Sequence, residues 1–188
     1  MAVDEKTFFD IMASFPSGVA VVTTLDEHGV PKGLTTTAVS SVSAEPPLLL
    51  VCIDLTSRTL PALRSGGRFL VNFMRAGRSE LCHLFASKSE DKFANVAWRP
   101  TASGLPLLHE DALAWAECVT VKEFEAGDHV VLLGRVEAGQ SATEDETPLM
   151  YYRRSWGYWT PAHGIRVPRA VRPLVVSGVD LRWEGAEL

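Results

Sequence analysis

Between Gly33 and Thr59 the chain reads GLTTTAVSSVSAEPPLLLVCIDLTSRT, and much of its usable chemistry is concentrated there. Thr35, Thr36, Thr37, Ser40, Ser41 and Ser43 form a run of small hydroxyls, each able to donate to or accept from the polar edge of a ring. Asp54, Ser57, Arg58 and Thr59 stand where a helix is expected to begin. The first amides of a helix lack partners within it and the macrodipole favours negative charge there, so this segment offers a seat for a phosphate. The plain alternative is a hydroxyl-rich strand and loop leading into an ordinary capped helix, because Ser and Thr favour caps and turns anyway.

Three further candidates lie downstream. Lys92, in Glu90-Asp91-Lys92-Phe93, is either a surface charge balancing two acids or a point charge for a phosphate. His129, in Gly127-Asp128-His129, opens a predicted strand and is either a turn residue with its ring in solvent or a group that orients a ligand. Tyr151, Tyr152, Arg153, Arg154, Trp156, Tyr158 and Trp159 make an aromatic and basic cluster. Such a surface stacks on bases and holds pyrophosphate, although a strand packed on the core with arginines reaching solvent has the same composition.

Other chemistries lack their residues. No GxGxxG follows a predicted strand and no GxxxxGK[ST] occurs, which argues against a Rossmann dinucleotide domain and a P-loop. His28, His83, His109 and His163 show no metal-ligand spacing among themselves or with cysteine, so no metal site is expected. The serines lack a GxSxG setting, and no cysteine sits in an evident electropositive niche, which leaves no nucleophilic triad.

The elements that must position these groups are short. Asp4 is placed to cap a helix carrying Phe8, Ile11, Met12 and Phe15, stopped by Pro16. Gly18–Leu25 predicts a strand that turns at Asp26–Gly29 into a second one, making a hairpin. Leu48–Ile53 is apolar on both faces, as a central strand should be. A short helix over Thr59–Arg64, a break at Ser65-Gly66-Gly67, a strand over Arg68–Met74 and a helix over Arg78–Ala86 follow. After an irregular stretch from Lys88 to Pro106, the alternation of Leu113, Trp115, Glu117, Val119 and Val121 predicts a strand returning as Val130–Glu137. Residues 160–188 hold Pro161, Pro168 and Pro173 and read as an extended tail. Many short strands with few helices, and no βαβ rhythm, predict a mainly β closed or split barrel.

The whole chain sets the frame. Its 188 residues, 46% hydrophobic and 22% charged, suit one globular domain spanning 1–188, with a core over about 8–159 and a C-terminal extension. A net charge of −5 argues against nucleic acid or an anionic membrane as partner. Cys52, Cys82 and Cys118 contain no CxxC pair and read as the reduced thiols of a cytoplasmic protein. The acidic MAVDEKTFFD start has no apolar region of a secretion signal, and no apolar run approaches the ~20 residues of a membrane helix.

Seven pieces in order resemble the flavin reductase-like family, the FMN-binding split-barrel flavoproteins that include reductase components of two-component flavin-dependent monooxygenases. They are FPSGVAVVTT, GLTTTAVSSVSAEPPLLLVCI, SRT, RFLVNFM, LFASKSEDKF, GDHVVLLGRV and PLMYYRRSWGYW, spread from Phe15 to Trp159. The resemblance implies a Greek-key split β-barrel that forms a homodimer, with flavin sites near the subunit interface. It implies NAD(P)H:flavin oxidoreductase activity: hydride passes from NADH or NADPH to FAD or FMN, and the reduced flavin leaves for a separate monooxygenase. Carried onto this sequence, it places flavin or nicotinamide contacts at Thr35, Thr36, Thr37, Ala38, Ser40, Ser41, Asp54, Ser57, Arg58, Thr59, Lys92, Phe93, His129, Tyr152, Arg153 and Tyr158. Within that set Lys92 closes near the phosphate or ring oxygens, Phe93 lies at the flavin's edge and His129 orients the nicotinamide. Thr37-Ala38 stands where many members carry Asn-Ser, which predicts a different set of hydrogen bonds there. No catalytic acid or base is required, because the cofactors carry the reactivity. The alternatives are a flavin carrier or sensor on the same barrel, and an oxidase of the pyridoxamine-phosphate oxidase type.

Overall fold

The computed structural model describes residues 2–142 and 146–159; the proline-bearing tail and its apolar run Pro173–Val176 lie outside them. Among the described residues, twelve strands and three helices occur in the order α1 (Glu5–Ala13), β1 (Ser17–Gly18), β2 (Ala20–Leu25), β3 (Pro31–Thr36), β4 (Val39–Ala44), β5 (Pro47–Asp54), α2 (Leu60–Gly66), β6 (Arg68–Met74), α3 (Ser79–Ala86), β7 (Arg99–Pro100), β8 (Pro106–Leu107), β9 (Ala112–Ala126), β10 (His129–Gln140), β11 (Leu149–Tyr152) and β12 (Ser155–Tyr158).

Seven strands form one antiparallel sheet in the order β3-β2-β6-β9-β10-β5-β4. β3 and β4 are the two edges of this sheet, yet only Thr37 and Ala38 separate them in sequence. Two residues span roughly 7–10 Å, so the sheet has to roll until its edges nearly meet. The Cys52 amide donates to the Ala38 carbonyl at 3.0 Å where they approach, but no ladder joins β3 to β4. The result is an unclosed roll, a Greek-key split barrel.

Both faces of the central strands are apolar. β2 is buried from Ala20 to Thr24, with Val22 facing one core cluster and Val21 a second. Inside the roll, Val22, Val51, Ile53, Phe69, Val71, Cys118, Val130 and Leu132 pack together. On the other side, under α3, lie Val19, Val21, Met74, Cys82, Phe85, Phe93, Leu108 and Leu149. Each large side chain removed from water in this way contributes about 1.5–3 kcal/mol. Buried Asn72 is fully used: its amide donates to the Val21 carbonyl and the Thr23 hydroxyl, and its oxygen accepts from the Leu108 amide. That satisfies the rule that a buried polar group must be paired.

Several sequence expectations hold closely. Asp4 caps α1 by accepting from the Thr7 amide at 2.7 Å, β6 spans the predicted residues, and α2 ends at Gly67, whose φ of 60° suits a residue without Cβ. The central-strand reading of Leu48–Ile53 is corrected. β5 lies one place from the sheet edge, and only Leu49, Val51 and Ile53 are buried, leaving Leu48, Leu50 and Cys52 half-buried on the outer face. In β9 it is the small residues Ala116 and Cys118 that enter the barrel core, because Phe69 already fills the space beside them. Gly134 on β10 is required by the same ring: a Cβ there would stand 2.6 Å from Phe69 Cζ. The aromatic–basic cluster folds as the β11–β12 hairpin, turned by Arg153 and Arg154 at φ of 47° and 61°.

Candidate functional site

The hydroxyl run divides where β3 ends. Thr35 and Thr36 line a cavity of about 400 Å³ whose other walls include Cys52, Asp54, Thr56, Ser57, Arg58, Lys88, Lys92 and His129. Thr37, Ala38 and Ser40 line a separate groove of about 610 Å³, bounded by Phe9, Met12 and Phe15 near α1 and by Tyr151–Arg154 of the hairpin. Cys52 belongs to both walls, so the two spaces adjoin at β5. A third recess of about 340 Å³, with Lys32, Gly33, Thr59 and Phe93 in its lining, shares Arg58 and Lys92 with the first. Ser41 and Tyr158 are exposed and stand outside all three.

Local structure explains how each group is aimed. Asp54 ends β5 and accepts from the Thr56 amide at 2.6 Å and its hydroxyl at 2.7 Å, a side-chain turn that redirects the chain toward α2. Those two bonds hold the Asp54 carboxyl below the usual carboxylate range. Thr35 donates its hydroxyl to the Cys82 carbonyl at 2.7 Å, tying β3 to α3, and the Thr36 hydroxyl accepts from the Ala38 amide at 3.0 Å. Both therefore hold the fold while facing the cavity.

Thr59 is buried, and its hydroxyl donates to the Gly33 carbonyl at 3.0 Å without capping α2. α2 has only seven residues. Positive charge at the cavity comes from side chains: Arg58, Lys88 and Lys92 all line it. Arg58 is steadied by donating to the Lys88 carbonyl at 2.7 Å. Lys92 donates to the carbonyls of Phe85 at 2.7 Å and Gly33 at 3.2 Å. Burial, and then the neighbouring Arg58, hold its pKa below the ordinary lysine value. Phe93 is a core residue, its ring edge-on to Phe85 at 5.0 Å and to Trp98 at 6.2 Å, with only a margin reaching the third recess.

His129 is the first residue of β10, directly across the ladder from Asp54. Its Nδ1 lies 2.7 Å from Asp128 Oδ1. An ionised carboxylate only accepts, so Nδ1 carries a proton here, and in the tautomer this bond selects Nε2 is the acceptor. The same bond is the leading cause of a lowered Asp128 pKa. In the hairpin, Trp156 Nε1 donates to His83 Nε2 at 2.9 Å and the Arg153 guanidinium lies 5.4 Å from the Tyr152 ring centre. Tyr152 and Arg153 thus face the larger groove, apart from His129.

Sequence reasoning missed Cys52, Thr56 and Lys88 as lining residues. Cys52 was legible in principle, since it alternates with the buried Val51 and Ile53 and must face the other way. Lys88 lies in a loop without periodicity, and only the fold brings it close. Among the described residues no cluster of His, Cys, Asp and Glu could hold a metal ion.

A rolled but unclosed β-sheet with a cationic, hydroxyl-lined cavity beside its split is the architecture of split-barrel flavoproteins. Residues 12–160 match the flavin reductase like domain, and the chain belongs to that family. It is 47% identical over 158 residues to a flavin reductase (NADH) of Kitasatospora aureofaciens, covering 84% of this chain and 83% of that one. It is 34% identical over 167 residues to the reductase subunit of a flavin-dependent monooxygenase of Mycobacterium tuberculosis, with 86% and 88% covered. Among solved structures, an NADH:FAD oxidoreductase of Streptomyces globisporus in complex with NAD and FAD fragments superposes with a TM-score of 0.78 at 29% identity, over 87% of this chain and 99% of that one.

Proposed function

We propose that this protein is an NAD(P)H-dependent flavin reductase that supplies free reduced flavin to a separate flavin-dependent monooxygenase. The observation that carries the reading is the cavity bringing Thr35, Thr36, Arg58, Lys92 and His129 to one place from four parts of the chain. Hydroxyls suit the polar edge of a flavin ring, and the Arg58–Lys92 pair suits its phosphate. Nicotinamide and flavin supply the hydride chemistry themselves when bound together. The chain's own groups bind and orient: His129, fixed by Asp128, offers Nε2 to the nicotinamide amide. The cavity lining sets the neutral hydroxyls of Thr35, Thr36, Thr56, Ser57 and Ser87 beside three cations, which fits a flavin that is released after reduction.

The larger groove supports a homodimer. α1 buries none of its residues against the rest of the chain, and Phe8, Phe9, Ile11, Met12 and Phe15 are all about half exposed or more. Such a contiguous apolar surface marks an interface, and the partner subunit would complete the groove beside Thr37, Ala38 and Ser40. Among the described residues no helix is long and apolar enough to cross a membrane, and the buried thiols suit the cytoplasm. A steady-state assay of NADH and NADPH oxidation against FAD, FMN and riboflavin tests the activity. Absence of oxidation with every flavin would leave the carrier reading in its place.

A further inference from the structure

The β11–β12 hairpin brings Tyr151, Tyr152, Arg153 and Arg154 to the larger groove, yet the main chain holds it thinly. It belongs to a three-stranded sheet, β1-β11-β12, separate from the seven-stranded roll. β11 pairs with β1 only through Ser17–Tyr151 and Gly18–Met150, and the Val19 amide donates to the Leu149 carbonyl at 3.2 Å. At the tip the Arg153 amide donates to the Ala13 carbonyl at 3.0 Å, but α1 buries none of its own residues. Arg154 lies 3.9 Å from Asp10 with both side chains mostly exposed, a geometry in which ion pairs contribute little. The outer strand β12 pairs with β11 alone.

One side chain ties β12 to the barrel. Trp156 Nε1 donates to His83 Nε2 at 2.9 Å, the only side-chain hydrogen bond of β12 among the described residues. The two rings also meet edge-on at 5.2 Å, and the Tyr151 ring lies 5.0 Å from that of Trp156. An indole N–H only donates, so in this bond Nε2 of His83 is bare and the ring proton sits on Nδ1. His83 is exposed and outside the core clusters, so its contact in the fold is the indole. It stands on the same turn of α3 that reaches the flavin cavity. The Cys82 carbonyl accepts from Thr35 at 2.7 Å and the Phe85 carbonyl accepts from Lys92 at 2.7 Å. Both Cys82 and Phe85 are fully buried, which seats that turn in the core.

We propose that His83 is a positioning residue for flavin reduction. By accepting from Trp156 it holds the hairpin against α3, and so fixes the groove wall relative to the cavity lined by Thr35 and Lys92. The Arg153 guanidinium lies over the Tyr152 ring, 5.4 Å from its centre, a surface suited to the flat and charged parts of the reduced nucleotide. The groove and the cavity adjoin at Cys52, so a ligand engaging both depends on their spacing. This role rests on the reductase reading of the two spaces.

Three variants of the full chain separate positioning from folding. His83→Phe keeps a ring and removes the acceptor, His83→Gln keeps an acceptor oxygen, and Trp156→Phe removes the donor. The Trp156 indole N–H signal in the proton–nitrogen NMR spectrum is the one lost in Trp156→Phe. In wild type it exchanges with D2O more slowly than an exposed indole; in His83→Phe it moves upfield and exchanges at least about fivefold faster. His83→Phe raises the KM for NADH roughly three- to tenfold, the scale of one hydrogen bond, and leaves the flavin Kd within about twofold. Its melting temperature stays close to that of wild type, because His83 is exposed. His83→Gln restores most of the NMR signature and most of the KM. Combining His83→Phe with Trp156→Phe costs no more than either alone, since both act through one bond. An indole signal that His83→Phe does not move overturns the proposal, as does a moved signal with an unchanged KM. Parallel losses of flavin and NADH binding with a lowered melting temperature also overturn it and make His83 structural. Absence of NADH oxidation in wild type with every flavin removes the reductase reading and this role with it, whereas an active wild type with an unchanged KM in His83→Phe removes only the role of His83.

Discussion

The hydroxyl of Thr59 donates to the carbonyl of Gly33 at 3.0 Å, which ties the start of α2 to the middle of β3. The same carbonyl accepts from Lys92 at 3.2 Å, and Gly33 itself cannot carry a side chain, since a Cβ would stand 2.8 Å from Phe85. One backbone position thus anchors three segments of the cavity wall. Thr59→Val keeps the shape and removes only the donor. Because Lys92 still satisfies the carbonyl, the expected loss is about 1 kcal/mol of unfolding free energy, read by urea denaturation. Flavin affinity should change by less than about twofold, since the hydroxyl is committed to the Gly33 carbonyl and Thr59 does not line the first cavity. A large loss of flavin binding in a fully folded Thr59→Val protein would return Thr59 to the phosphate seat.

Much of the barrel was readable because strand periodicity and breakers are local signals. β6 lies where its apolar run begins and ends, and the Asp4 cap and the Gly67 terminus were visible as residue types. Which strand would be central was not readable, because Leu48–Ile53 looks the same whether its second face meets a core or an open groove. The site showed the same limit. Thr35 and Thr37 are neighbours in a uniform hydroxyl run, but the turn between β3 and β4 sends them to different cavities. Lys92 was legible as a cation; that two of its donors are committed to backbone carbonyls follows only from the approach of β3 and α3.

Lys92 also gives the site a pH dependence. Burial and Arg58 disfavour its charged form, so it loses its proton below the ordinary lysine value of 10.5. Flavin phosphate affinity is therefore greatest below that lowered pKa and falls as pH rises through it. Lys92→Met should bind flavin more weakly at neutral pH, by several-fold for one charge-assisted contact, and lose the alkaline decline. Riboflavin, which has no phosphate, serves as the control. An alkaline limb that survives in Lys92→Met would assign the titration to another group.

The three thiols should separate cleanly. Burial pushes the Cys82 and Cys118 thiols up to about 12, whereas Cys52 is half-buried and only raised, also by burial. Native protein should react at one cysteine with a thiol reagent, slowly at neutral pH because the thiolate is scarce. Bound flavin should protect it, since Cys52 lines both the cavity and the adjoining groove. Cys82 and Cys118 bind protons more tightly folded than unfolded. Their contribution to stability is thus complete below the unfolded thiol value near 9 and is lost as pH rises from there toward about 12. Mass spectrometry after labelling, with and without FAD, reads the first claim. Denaturant melts between neutral and alkaline pH read the second.

Assembly is tested through α1. Light scattering at micromolar concentration should report twice the chain mass of 20.5 kDa. Phe9→Glu adds a charge at a half-exposed position outside the core clusters, so folding should be little affected while the dimer weakens. Because Phe9 also lines the groove beside Thr37 and Ser40, flavin turnover should fall with the dimer fraction. A monomeric wild type that reduces flavin at full rate would remove the partner subunit from the site.

His129 separates an enzyme from a flavin carrier. It opens β10 opposite Asp54, and Asp128 fixes its ring through Nδ1 at 2.7 Å, so Nε2 is presented as an acceptor in the cavity. His129→Ala deletes the ring at a half-exposed strand end, where little packing is lost and the fold should tolerate the change. Loss of one hydrogen bond worth about 1 kcal/mol predicts a several-fold rise in the nicotinamide KM, and more if the stacked geometry slips. Flavin Kd should stay nearly constant, because the phosphate contacts proposed here are Arg58 and Lys92. Asp128→Asn keeps a partner for Nδ1 but can no longer dictate which nitrogen holds the proton, so its effect should run in the same direction and be smaller. The role is orientation and involves no proton transfer, so neither variant should introduce a new pH dependence in kcat. Parallel losses of flavin and nucleotide binding would make His129 a structural residue. An unchanged nicotinamide KM in both variants, with wild type active, would shift nucleotide binding to Tyr152 and Arg153 in the larger groove.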